Sequence, residues 1–278
     1  MHAKLLLSLL LLATSLVPAF SQTQIITYAN VAYGSDPAQI MDIYVPTDNK
    51  VHPAIVLLHG GAWVSGDKQA LSPIADYFAK QGYTVANINY RLATLTSNQY
   101  PTAIEDAHVA VLFLQRKATA YKMDGNRIAA FGTSAGANLA LSLGTQGWVD
   151  AVVDFYGPAD FTDPNFLAEN FQGQSCSQFL EKYYFGVSFT QNPSFYANAS
   201  PLDNISTRMP PTIIFHGSLD QLVPVAQSEN LQEQLHDTGI VSKLNIETGL
   251  GHGFLTDPSY NPQPVLQQCV TFLNTYMP

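Results

Sequence analysis

Ser134, Asp220 and His252 are side chains whose types and order, in a chain of 278 residues, could carry nucleophilic chemistry. A serine hydroxyl attacks poorly until a base takes its proton, and the base works best when a carboxylate orients it. Ser134 stands in Gly132-Thr133-Ser134-Ala135-Gly136. The apolar run at 127–131 before it reads as a short buried strand, and residues 138–143 after it read as a helix. A sharp strand-to-helix turn would push the Ser134 hydroxyl out of the backbone, with glycines on either side because larger side chains would clash. The helix start would add free N–H groups and positive dipole beside the oxygen that develops charge.

The partners follow in a set order. Residues 212–216 read as a strand running into Gly217-Ser218-Leu219-Asp220, so Asp220 falls just past a strand's carboxyl end, where sites in open sheets gather. Residues 243–246 form another strand, and Gly249-Leu250-Gly251-His252-Gly253-Phe254 is a glycine-flanked loop able to bring His252 to Ser134. Asp154, ending the run 152–155, is the rival acid; His216, ending the strand before Asp220, reads as a structural histidine. A G-x-S-x-G turn followed by acid and then histidine is the order of the α/β-hydrolases. Such chemistry also needs backbone N–H donors for the developing oxyanion. His59-Gly60-Gly61-Ala62-Trp63, directly after a strand at 55–58, supplies a glycine loop of that kind. Gly61, Ala62 and Ala135 are the expected donors, with Gly60 a possible third; the alternative is a glycine turn that merely packs Trp63 into the core.

These motifs resemble a known family when read in sequence. Met41-Asp42-Ile43-Tyr44-Val45-Pro46, the His59 loop, Asn89-Tyr90-Arg91-Leu92, Ile104-Glu105-Asp106-Ala107, the Ser134 turn, Ala199-Ser200-Pro201 and the Asp220 and His252 loops appear in order. The chain is similar to secreted carboxylesterases related to hormone-sensitive lipase, above all to the bifunctional acetylxylan/feruloyl esterase branch. The resemblance spans residues 25–275 and implies a serine esterase of short-chain or carbohydrate-linked esters. Two departures stand out. Ala62 sits where lipase-like relatives carry a third glycine, and Arg91-Leu92-Ala93 runs into Thr94-Leu95-Thr96-Ser97-Asn98 instead of Ala-Pro-Glu, a loop that could reshape the substrate mouth.

The elements that must position these residues alternate. Strands are expected at 40–45, 54–58, 84–88, 127–131, 151–155, 212–216 and 241–246, with helices at 69–80, 101–121, 227–237 and 265–276. Alternation of this kind means an α/β fold: a mostly parallel, doubly wound sheet covered on both faces, with a short cap inserted at about 158–207. Residues 158–196 of that cap carry ten aromatics. Some could stack on an acyl group or a sugar, although most are expected to seat the cap on the domain. Tyr183 and Tyr184 are the expected substrate contacts there, together with Trp63 beside the glycine loop.

Residues 1–21, with Lys4, a leucine-rich run and Ala19-Phe20-Ser21, read as an export signal, leaving residues 22–278 as one catalytic domain in a secreted or periplasmic setting. That apolar run is too short for a comfortable membrane span, and no other segment qualifies. The net charge of −9 without a basic cluster disfavours nucleic acid as a partner. No metal or cofactor motif stands out, so the expected partner is an ester, as a small molecule or linked to a polysaccharide. Cys176 and Cys269 could pair in an oxidising compartment or remain free and buried. Asn198 and Asn204 head glycosylation sequons, which matter in a eukaryotic secretory route.

Overall fold

Side chains on both faces of the central strands are apolar, which a sheet flanked by helices on each side requires. The computed structural model describes residues 24–278; the expected export segment lies outside them. Strands β1 (Ile25–Ala32), β2 (Ile40–Pro46) and β3 (His52–Leu58) lead through a 3₁₀ turn (Lys68–Leu71) into helix α1 (Ser72–Lys80). Then come β4 (Thr84–Ile88), α2 (Thr102–Lys117), β5 (Met123–Thr133), α3 (Ala135–Thr145) and β6 (Ala151–Phe155). After an insertion, β9 (Thr212–Gly217), α7 (Ala226–Asp237), β10 (Ser242–Glu247) and α8 (Gln263–Tyr276) complete the domain. The insertion holds α4 (Pro164–Ala168), the hairpin β7 (Asn170–Phe171) and β8 (Gln174–Ser175), α5 (Cys176–Phe179), a π-helical turn (Leu180–Phe185) and α6 (Pro193–Ala199).

Eight strands form one sheet in the order β1-β2-β4-β3-β5-β6-β9-β10. β1, β2 and β4 pair antiparallel, and every pair from β4 to β10 is parallel. Alternate residues of β3 face opposite sides: Ala54, Val56 and Leu58 join one core with α2, α3 and α7, while Ile55 and Leu57 join the other with α1 and α8. The helices present matching stripes. Ala103, Ala107, Ala110, Val111 and Leu114 of α2 recur at helical spacing, as do Ile74, Ala75, Phe78 and Ala79 of α1.

Element ends differ from the sequence reading for local reasons. The expected helix at 69–80 divides into the 3₁₀ turn and α1, where Pro73 occupies the first turn. Helix 101–121 becomes α2 plus a 3₁₀ turn closed by Lys122 in the left-handed region, φ 51°. β5 begins at Met123, four residues early, because His52 of β3 pairs with Met123 beyond a register shift. β1 carried no sequence signal; its side chains are mostly exposed and its pairing with β2 defines it.

In the insertion, six of the ten aromatics are buried: Phe161, Phe166, Phe179, Tyr184, Phe185 and Tyr196. They interlock by edge and tilted contacts, such as Phe185 against Tyr196 at 4.0 Å between ring centres. The two cysteines are free and buried. Cys176 belongs to the core under the cap and Cys269 to the core on the other sheet face, so the sheet lies between them. Pairing is therefore ruled out in this fold, and the free-thiol alternative is the one adopted.

Candidate active site

Strand order reverses at β3, whose neighbours are β4 on one side and β5 on the other. The crevice beyond the carboxyl ends of such strands is where doubly wound sheets place ligands. Ser134 follows β5 there, with φ 53° and ψ −121°, a strained conformation for a residue with a side chain. Ser134 N–H donates to Phe155 O at 2.9 Å, and Ala137 and Asn138 N–H donate to Ser134 O at 2.9 and 3.1 Å. The flanking glycines make the turn possible by close approach. A Cβ on Gly132 would lie 2.1 Å from Gly136 O, and one on Gly136 would lie 2.0 Å from Leu58 O. The Ser134 side chain does not cap α3. Its Oγ instead lies 2.8 Å from His252 Nε2.

His252 comes from the loop after β10 and Asp220 from the turn after β9. His252 Nδ1 stands 2.7 Å from Asp220 Oδ2. With Nδ1–H donating to the carboxylate, Nε2 is the lone-pair nitrogen that accepts from the serine hydroxyl. The Asp220 side chain is buried, yet N–H donors surround it. Leu222 and Val223 N–H each reach Oδ1 at 2.9 Å, and His216 Nε2 lies 3.2 Å from Oδ2. Burial pushes this carboxyl up, but hydrogen bonds from His216 and His252, with the charge of His252 and the Val223 N–H, outweigh it and hold Asp220 below the usual carboxylate range. His216 is anchored in turn by Ser228 Oγ at Nδ1, 2.7 Å, and Val223 O at Nε2, 2.8 Å.

Asp154, the rival acid, does not reach His252. Its Oδ1 accepts the Gly157 N–H at 2.9 Å, Oδ2 is buried without a partner, and burial raises its pKa to about 7. It sits beneath the site as a carboxyl that prefers to be neutral.

The loop after β3 is held in a conformation of its own. Gly61, Ala62 and Trp63 have positive φ of 125°, 51° and 61° in succession. Val64 and Ser65 N–H donate to Gly61 O at 3.1 and 3.0 Å, and Ala93 N–H donates to Trp63 O at 2.8 Å. Gly61 admits no side chain, since a Cβ would meet Ser65 O at 2.1 Å. Gly60 approaches the serine, its Cβ position being 3.2 Å from Ser134 Cβ. Ala135 opens α3, so its N–H belongs to the first turn and has no partner within the helix. Behind the loop, His59 stacks on Tyr90 at 4.4 Å, and Tyr90 OH donates to His59 O at 2.9 Å. Burial holds the His59 imidazole below its ordinary pKa.

Two spaces open on Ser134. One is a smaller, apolar pocket lined by Ala62, Trp63, Ala135, Pro158 and cap residues; the other is a larger, more polar cleft lined by Gly60, Gly61, His252 and Thr256. Trp63 is both core and wall: it is buried, stacks on Tyr184 at 4.1 Å and lines the cavity. Tyr184 lines neither space, because it is buried behind Trp63, and Tyr183 lies outside both, against Phe179 at 5.0 Å. The expectation that these tyrosines meet substrate is therefore corrected. The cap's contribution is Phe166, Phe171, Cys176, Phe179 and Leu180. Cys176, Phe179 and Leu180 recur at i, i+3 and i+4, the spacing that could have singled them out. The loop at 94–98 also lines neither space. Among the described residues no cluster of three or more His, Cys, Asp or Glu could hold a metal, and no helix is long and apolar enough to cross a membrane.

Residues 41–235 match the BD-FAE family. This chain belongs to that family. Among the relatives of this BD-FAE chain, "Esterase LipC" of Mycobacterium tuberculosis is 30% identical over 263 residues, covering 88% of this chain and 64% of LipC. The BD-FAE chain thus spans less than two thirds of that relative. A solved truncated form of a carbohydrate esterase from gut microbiota has TM-score 0.78 at 24% identity, over 94% of this chain and 99% of its own. The bifunctional GH43-CE protein of Bacteroides eggerthii has TM-score 0.79 at 25% identity, over 91% of this chain and 38% of its own. With these neighbours the sheet and its helices are those of an α/β-hydrolase.

Proposed function

We propose that this BD-FAE chain is a serine carboxylester hydrolase with Ser134 as nucleophile, His252 as general base and acid, and Asp220 as the orienting carboxylate. The observation that carries the reading is the unbroken contact from Ser134 Oγ through His252 to Asp220, at 2.8 and 2.7 Å. Ser134 Oγ attacks the ester carbonyl as His252 Nε2 takes its proton. The carbonyl oxygen becomes an oxyanion held by the N–H groups of Gly61, Ala62 and Ala135. His252 then gives the proton to the departing alkoxide, leaving an acyl-serine and the free alcohol. Water, losing a proton to His252, attacks the acyl-serine and releases the acid. Asp220 remains ionised throughout and balances the imidazolium.

The substrate class we infer is short-chain or carbohydrate-linked esters of the acetylxylan or feruloyl kind. The motif resemblance supports this, as does the cleft beside His252, open and lined in part by Ser65, Thr133, Gln172 and Thr256. The export signal read at residues 1–21 places the enzyme outside the cytoplasm in this proposal, where polymer esters are met. The test compares purified protein with Ser134→Ala on p-nitrophenyl acetate through laurate, acetylated xylan and methyl ferulate. Turnover of short esters that vanishes in the variant supports the mechanism. Equal rates for both proteins would remove Ser134 from it.

A further inference from the structure

The two spaces at Ser134 differ in which catalytic group they contain. His252 lines the open cleft and is absent from the walls of the smaller cavity. The group that protonates the leaving oxygen must lie on the leaving group's side, so the alcohol occupies the cleft and the acyl chain the cavity. That cavity is nearly all hydrocarbon and sulfur. Phe166, Cys176, Phe179 and Leu180 form its cap wall, and Phe171 lines both spaces, as Ala62 and Leu222 do. Burial raises the Cys176 thiol to about 11, so it stays neutral. The Trp63 indole N–H is itself buried without a partner. Beyond Ser134, no hydroxyl, amide or charged side chain faces the acyl chain.

From this geometry we propose that the cavity selects a short, unsubstituted aliphatic acyl group, with Cys176 part of the wall that limits it and Phe171 at the border between acyl and alcohol. The proposal rests on the serine-esterase reading and narrows it to the acetyl side. A feruloyl group would bring a phenol hydroxyl and a methoxy oxygen into walls that offer them no hydrogen bond, a loss of about tenfold or more in rate. Phe171 reaches its place through a two-residue hairpin, since Gln172 and Gly173 both have positive φ, 55° and 80°.

The experiment uses the whole protein, with rates expressed as ratios so that a partly folded variant does not distort them. p-Nitrophenyl esters from acetate to octanoate vary the acyl group at constant alcohol; acetylated xylan, glucose pentaacetate and p-nitrophenyl acetate vary the alcohol at constant acyl group. Methyl cinnamate and methyl ferulate differ in ring polarity. Cys176→Phe should lower the butyrate-to-acetate ratio by about tenfold and leave the alcohol ranking in place. Phe171→Ala should widen the range of acyl lengths accepted. Methyl cinnamate should be cleaved far more slowly than p-nitrophenyl acetate, and methyl ferulate about tenfold more slowly again. The proposal is overturned if ferulate is cleaved as fast as cinnamate, or if Cys176→Phe reorders the alcohols while sparing the acyl series. Should Ser134→Ala match the wild type, the esterase reading itself fails; should it be inactive while Cys176→Phe leaves every ratio unchanged, only the acyl-cavity assignment fails.

Discussion

His216 and His252 approach the same oxygen atom. Asp220 Oδ2 lies 2.7 Å from His252 Nδ1 and 3.2 Å from His216 Nε2, and the side chains of His216 and Asp220 are both buried. The carboxylate that orients the base thus packs against a histidine whose Nε2–H donates to Val223 O at 2.8 Å and whose Nδ1 meets Ser228.

Removing His216 should weaken catalysis without removing a reacting group. We expect His216→Asn to lower kcat about tenfold, or about 1.4 kcal/mol, with little change in KM. A KM effect of equal size and unchanged kcat would assign His216 to substrate binding instead.

Acid stability should report the same contact. Asp220 is held below the ordinary carboxylate range, so its ionised form favours the folded state at neutral pH. That contribution is fully present above the unfolded carboxylate value, about pH 4, and fades as pH falls toward the folded value. In His216→Asn the decline of Tm on acidification should begin at higher pH than in wild type. Coincident Tm profiles would show that His216 does not hold the carboxylate.

Asp154 acts in the opposite sense. Its pKa of about 7 exceeds the unfolded value, so the folded state holds a proton that the unfolded chain releases. Stability should fall as pH rises between about 4 and 7, leaving the full penalty above that range. Asp154→Asn, which imitates the neutral acid, should raise Tm at pH 8 more than at pH 5 by calorimetry. An equal shift at both values would contradict the burial argument.

Gly61 tests the oxyanion loop. Gly61→Ala places a Cβ 2.1 Å from Ser65 O at a φ of 125°, so the loop must move. Loss of one donor costs about 10²–10³ in turnover, and we expect a fall of that order with a Tm drop of a few degrees. Retention of full kcat would place the oxyanion elsewhere.

The cysteines should behave as free thiols. Intact mass under denaturing, non-reducing conditions should match the fully reduced chain, with Cys269 alkylated only after unfolding. A mass lower by two hydrogens would refute the separation of Cys176 and Cys269 across the sheet.

The triad order, the Gly132–Gly136 turn, the glycine loop after β3 and the strand–helix alternation were legible in the sequence because each is a local requirement. A turn too sharp for Cβ atoms shows its glycines, and a strand buried on both faces shows its apolar run. The contacts of Tyr183 and Tyr184 were not legible. A run of aromatics states how much surface the cap must bury, not which ring faces the serine; Trp63 stacking on Tyr184 decided that. Nor could residue spacing place His216 against Asp220, keep Cys176 and Cys269 on opposite sheet faces, or give β1 its partner. The two cysteines lie far apart in the chain, and even the near relations, His216 with Asp220 and β1 with β2, are decided by how the sheet and its two helical layers pack.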